Sequence, residues 1–120
     1  PNNVIYKVVF KEEHLSVPKE KNKAFDLQEY YQHPERFDGV FEQYLPHLNV
    51  LMNCMYWDDR YPRIVTKDFL QNAWKTGGIP LEVIGDVTCD PDGSVEITHK
   101  GTAIEDPVFV YNPLQRDAKM

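Results

Sequence analysis

The sequence predicts an α/β fold built on a parallel sheet, and three observations carry that prediction. Strand-like and helix-like segments alternate along the chain, as βαβ crossovers require. The run Asn49–Trp57 is apolar at successive positions rather than at every second one, the pattern of a strand covered on both faces. Gly77 and Gly78 then close a helical stretch just before a further apolar run, Leu81–Val87.

In chain order, Val4–Phe10 (VIYKVVF) is rich in β-branched and aromatic residues and reads as the first strand. The charged, proline-interrupted segment that follows, KEEHLSVPKEKNK, reads as a surface loop. Asp26 with Glu29 resembles a capping box opening the short helix DLQEYY, which His33-Pro34 interrupts. Phe37, Val40, Phe41, Tyr44 and Leu45 fall at helical spacing, a core-facing stripe that Pro46 stops. Asn49–Trp57 is the second strand. Thr66 caps the helix TKDFLQNAWK, whose Phe69, Leu70, Ala73 and Trp74 form its buried face. Leu81–Val87 is the third strand, and SVEIT and PVFVY are short strand-like segments beyond it.

The 120 residues suit a single domain or a fragment of one, spanning 1–120. With 42% apolar and 27% charged residues the composition is that of a globular protein. A net charge of −6 and the absence of a basic, aromatic-interleaved stripe argue against nucleic acid. The longest apolar run falls far short of the roughly 18 residues of a membrane span, so no membrane partner is expected. Cys54 and Cys89 stand in or beside apolar runs, which suits reduced thiols and an intracellular address, cytoplasmic or mitochondrial.

The aspartate-rich stretch VIGDVTCDPDGSVEI sits where the third strand ends. As a calcium loop starting at Asp90 it fails on register: the motif needs glycine at position 6 and a carboxylate at position 12, whereas glycine falls at position 4 and position 12 is Gly101. No metal site is expected. A turn is the simpler reading, with Pro91 at i+1, Gly93 at a position needing φ > 0, and Asp90 bonding back to the backbone. Yet Asp86 and Asp90 bracket the end of a buried strand, where ligands bind in open α/β sheets. Asp58, Asp59, Arg60 and Arg63 follow the second strand at the same edge, as ion pairs of a loop or as ligand contacts. His14, His33, His47 and His99 are scattered and read as surface or capping residues. Neither GxGxxG nor GxxxxGK[ST] occurs.

The strings FDLQEYYQHPERF, FEQYLPHLNVLMNCMYWDDRYPRIVTK and VIGDVTCDPDGSVEITHKGTAIEDPVFVYNP resemble the lysine-ketoglutarate reductase part of the bifunctional aminoadipate semialdehyde synthase family. More distantly, their order looks like the second half of the nucleotide-binding domain of alanine dehydrogenases. The resemblance implies a partial Rossmann-type sheet with flanking helices. It also implies a reductase that joins lysine to 2-oxoglutarate and reduces the imine with NADPH or NADH to give saccharopine. Carried over residue by residue, Cys54, Met55, Tyr56 and Val87 line the cofactor pocket. Asp90 lies beside the nicotinamide ribose with a catalytic role, and Asp86 holds the strand end in shape. The family's glycine-rich turn and its substrate domain have no counterpart here, so the isolated piece is expected to be inactive and to bind no cofactor tightly. The remaining domains of a parent chain, and other copies of it in a homo-oligomer, are the expected partners. The competing reading is a non-catalytic binding or assembly module that keeps the half-Rossmann fold.

Overall fold

The computed structural model describes residues 3–88 and 90–119. It is a mixed helix-and-strand fold whose strands form three separate two-stranded pairs. One of them is parallel and meets the α/β expectation; a larger parallel sheet is not formed among the described residues.

The parallel pair is β3 (Val50–Asn53) and β4 (Val83–Asp86), joined through helix α3 (Lys67–Lys75) and aligned so that Val50 faces Val83 and Asn53 faces Asp86. Helix α3 forms where its caps predict. Thr66 Oγ1 accepts from the Phe69 amide at 3.1 Å. At the far end Gly78 N–H reaches the Ala73 carbonyl at 2.8 Å and Gly77 N–H the Trp74 carbonyl at 3.4 Å, the paired bonds of a Schellman stop. Gly77 has the positive φ that this stop requires, 112°, and Gly78 follows it at 88°. Leu70 on the inner face of α3 is buried with Phe41, Leu45, Leu51, Ile64, Val65, Leu81 and Val95, which together form the core.

The second strand is shorter and more one-sided than the sequence suggests. Only Val50–Asn53 pairs, and burial alternates: Leu51 and Asn53 face inward, while Val50 and Met52 are more than half exposed. Leu51 packs with Leu70 of α3 on one face, while on the other the described residues leave Val50 and Met52 largely open.

Towards the N-terminus, α1 (Glu12–Leu15) leads into β1 (Ser16–Pro18), which pairs antiparallel with β2 (Phe37–Gly39) around α2 (Leu27–Gln32). The Asp26 carboxylate caps α2, accepting from the Gln28 amide at 3.0 Å. Three expectations are corrected here. Val4–Phe10 is not a strand: Val4, Ile5, Tyr6, Val8 and Val9 are exposed, because β-propensity without a pairing edge does not make a strand. Only Phe10 reaches the core, edge-on to Phe41 at 4.9 Å. The charged segment after it is not merely loop, since it holds α1 and β1. The expected helix over Phe37–Leu45 is instead β2 followed by a 3-10 helix, Phe41–His47. Phe41 and Leu45 still point into the core as the stripe requires, but Phe37 packs with Phe25 and Tyr30 in a separate aromatic cluster.

Beyond β4, SVEIT is not a strand. Val95 makes a single parallel bridge to Val65, and the Ser94 carbonyl accepts from the amides of both Ile64 and Val65. The PVFVY segment contributes β5 (Val110–Asn112), which pairs with β6 (Asp117–Lys119) in a hairpin that turns through Arg116 at φ 58°.

Candidate functional site

Everything that the sequence marks for ligand contact lies at the carboxyl edge of β3 and β4. Because Asn53 and Asp86 pair in register as the last residues of the two strands, the chains that leave them start side by side. Val87 N–H donates to the Asn53 carbonyl at 2.8 Å, so the ladder extends one residue past the strands.

Asn53 is the hub of this edge, and it is buried. Its Nδ2 donates to Asp86 Oδ1 at 2.9 Å and to Ser94 Oγ at 2.8 Å. The Asp86 carboxylate also accepts from Thr88 Oγ1 at 2.7 Å and Thr98 Oγ1 at 2.5 Å. A half-buried carboxylate needs such donors, and here they come from β3, from the residues just past β4 and from the segment after the aspartate turn. Asp86 therefore ties the end of the strand to its loop. In the sequence Asn53 is only a polar residue inside the apolar run NVLMNCMYW, and its partners Asp86 and Ser94 lie 33 and 41 residues further on.

The aspartate stretch forms the expected turn, with one exchange of roles. Gly93 N–H donates to the Asp90 carbonyl at 2.9 Å, but the positive φ belongs to Asp92, at 52°. Gly93 is needed for a different reason, because a Cβ there would sit 2.6 Å from Asp90 Cβ and 2.9 Å from its carbonyl oxygen. Arg63 staples this turn to the loop after β3. Its Nε and Nη2 donate to the Gly93 and Asp92 carbonyls at 3.0 and 2.9 Å, and its guanidinium lies 5.3 Å from the Trp57 ring centroid. Arg60 grips Asp58 through both carboxylate oxygens and holds that carboxyl down at about 2. Arg60 and Arg63 thus hold the edge in shape.

Of the residues assigned by resemblance, Cys54, Tyr56, Val87 and Asp90 are exposed at this edge and Met55 is half-buried. The other sequence cysteine, Cys89, lies outside the described residues. His14 accepts from the Lys11 amide at 2.8 Å in capping α1, and His33 contacts Glu35 at 3.2 Å. Among the described residues no three His, Cys, Asp or Glu side chains converge as a metal-binding group, and no helix is long and apolar enough to cross a membrane.

Beside the edge opens a cleft of about 350 Å³ walled by Tyr30, Tyr31, Tyr56 and Tyr61, with Glu12 and Met55. No local sequence pattern marks it, since its walls come from residues distant in the chain. A second recess, of about 280 Å³, lies among charged side chains of the N-terminal region, including Glu29, which pairs with both Lys23 and Arg36.

A dinucleotide fits this edge only in part. Met55, Tyr56 and Val87 offer an apolar and aromatic rim suited to a nicotinamide ring. The diphosphate half finds no glycine-rich turn, and the start of α3 is already engaged: the Lys67 amide donates to Glu96 Oε1 at 2.7 Å and the Phe69 amide to Thr66.

A helix-crossed parallel strand pair with a pinned carboxyl edge is compatible with a segment of an α/β protein. Comparison with known proteins then gives the particular relationship. The chain is 39% identical over 110 residues to alpha-aminoadipic semialdehyde synthase of Arabidopsis thaliana, a match covering 91% of this chain. It is 29% identical over 122 residues to the mitochondrial alpha-aminoadipic semialdehyde synthase of Bos taurus and 28% over 126 residues to that of Mus musculus, covering 90% and 93% of this chain. It is homologous to one segment of the alpha-aminoadipic semialdehyde synthases, and it spans 10% to 14% of the length of these relatives. No family model matches it.

Proposed function

We propose that the chain is part of the lysine-ketoglutarate reductase of an enzyme of lysine degradation, and that it supplies the carboxyl-edge wall of a Rossmann-type cofactor crevice. The observation that carries this reading is the match to alpha-aminoadipic semialdehyde synthase along nine-tenths of the chain, 91% for the plant relative. In this reading lysine condenses with 2-oxoglutarate, and the imine is reduced to saccharopine.

NADPH or NADH, when bound, supplies the hydride. Met55, Tyr56 and Val87 hold the nicotinamide end, and Cys54 lies beside them on the strand exit. Asp90, on the turn that Arg63 fixes, would stand on the side of the nicotinamide ribose and help to position it. Asp86 and Asn53 keep the two strand exits together and so set the width of the crevice. Proton-transferring residues, the diphosphate-binding turn and the sheet that would cover Val50 and Met52 come from the rest of the parent chain, which assembles as a homo-oligomer in the mitochondrial matrix or the cytoplasm.

The test is saccharopine formation from lysine, 2-oxoglutarate and NADPH by the full-length parent. We expect Asp90→Ala to lower turnover by at least about tenfold, the scale of losing one positioned group in the crevice, with an unchanged melting temperature. The isolated chain should show no turnover and weak or no binding of NADPH. A parent without this activity with either nicotinamide cofactor would leave the fold and remove the function, in favour of a binding or assembly module.

A further inference from the structure

We infer that the tyrosine-walled cleft beside the β3 exit is a binding site for a small organic ammonium, a protonated primary amine on an alkyl stem. The ring centroids of Tyr30 and Tyr61 lie 5.2 Å apart and those of Tyr30 and Tyr31 6.1 Å apart, so the rings line a wall rather than scatter over the surface. Aromatic faces attract cations through their quadrupole, most strongly where water is displaced. Glu12 adds a carboxylate to this wall, held by the Tyr31 hydroxyl at 3.2 Å. Among the described residues no lysine or arginine lines the cleft, and Glu12 is in no salt bridge.

An anionic ligand would meet Glu12 with the wrong sign, and a neutral one would gain at most a hydrogen bond that water already offers, without the charge attraction. An ammonium gains from both features, and Met55 supplies a soft apolar surface for its stem. Three tyrosine hydroxyls already have acceptors, which fixes their rings: Tyr56 donates to Asp58 at 3.1 Å, Tyr61 to the Tyr31 carbonyl at 3.4 Å and Tyr31 to Glu12. Burial of Tyr30 and Tyr31 and the Asp58 carboxylate beside Tyr56 push these phenols up, so they stay neutral. The chain already places one cation of its own on these rings, with the Arg60 guanidinium 5.5 Å from the Tyr61 centroid. Its bidentate hold on Asp58 keeps that side chain outside the cleft wall.

The inference rests on the proposed function only for the identity of the natural ligand. That reaction includes an amine, and Met55 and Tyr56 belong both to the cleft and to the rim proposed for the cofactor.

The test is titration of this chain with n-butylammonium chloride, and with 1-butanol at matched ionic strength, followed by NMR of the tyrosine ring protons. Saturable shifts with the ammonium and none with the alcohol are expected. Glu12→Gln and Tyr56→Ala, both at accessible positions, should each weaken the ammonium by about three- to fivefold, the scale of one cation–π or exposed charge contact. Equal shifts with the alcohol, no saturation, or wild-type affinity in both folded variants would overturn the site. If one variant fails to fold by circular dichroism, the other decides. Ammonium binding here without saccharopine formation by the full-length parent upholds the site and removes the lysine-reducing reading. Turnover without ammonium binding does the reverse.

Discussion

Two short, mainly apolar stretches of this chain have opposite fates. Val4–Val9 (VIYKVV) is rich in β-favouring residues and Val50–Asn53 (VLMN) holds one, Val50, yet the first is exposed along its length and the second forms a strand. The difference lies in what the chain brings to each. Residues 50–53 find a parallel partner, β4, delivered by the α3 crossover, and Leu51 is buried beneath it at 6% exposure. Among the described residues, 4–9 find no edge, and Ile5 is left 97% exposed. Apolar content alone does not bury a segment; a partner and a crossover do.

The sharpest way to break that comparison is to truncate one residue from each side of it. Leu70→Ala empties the inner face of α3 and should cost about 2–5 kcal/mol, the range for a buried leucine. Ile5→Ala should change stability by less than about 0.5 kcal/mol, as for a surface position. Urea unfolding of both variants measures this. Equal losses would show that the arm packs in solution and that the contrast is false.

The same contrast explains how much was legible in the sequence. Helix α3 was readable from Thr66 to Gly78 because its signals are local: a cap, a stripe and a stop. The β3–β4 pairing followed from the position of that helix between two apolar runs. The arm was misread because a strand depends on an edge elsewhere, and the stretch Phe37–Leu45 because helical spacing fits a 3-10 helix over part of its length as well as an α-helix. At the site, the turn and the two strand exits were legible, since sequence order sets which ends lie together. Asn53 as a hub, Arg63 as a staple and the tyrosine cleft were not. Each joins residues about 30 or more apart in the chain, such as Arg63 with Gly93 and Tyr30 with Tyr61, and no local pattern encodes them.

Two glycines at the site extend the comparison to backbone against side chain. At Gly93 an added Cβ meets the backbone of its own turn, the Asp90 carbonyl oxygen at 2.9 Å. At Gly85 it meets the far end of Met52, with Sδ at 2.6 Å and Cε at 2.8 Å. The turn cannot give way without breaking the Arg63 staple, whereas Met52 is 61% exposed and can swing aside. Gly93→Ala should therefore cost about 1–3 kcal/mol, as overpacking against fixed atoms does. Gly85→Ala should cost under about 1 kcal/mol, because its strain is relieved at the surface. Thermal unfolding separates the two, and the reverse order would mean that the aspartate turn is not held rigidly against the β3 loop.

The smallest expected effect concerns the Asp58–Arg60 pair, on the exposed side of the same edge. Its guanidinium contacts hold the Asp58 carboxyl at about 2 against an ordinary 3.8. A carboxylate depressed in the folded state contributes stability that is present in full above its unfolded value, near pH 4. That contribution is lost as pH falls through about 2. Arg60→Ala should raise the Asp58 midpoint towards 3.8, part of the depression surviving through the Tyr56 hydroxyl. NMR titration of the Asp58 carboxyl reads this directly. Because the pair is solvent-exposed and screened, stability at neutral pH should barely change, and less at high salt than at low. A midpoint that stays at about 2 without Arg60 would transfer the effect to the backbone amide of residue 60, and the loop itself would then hold Asp58.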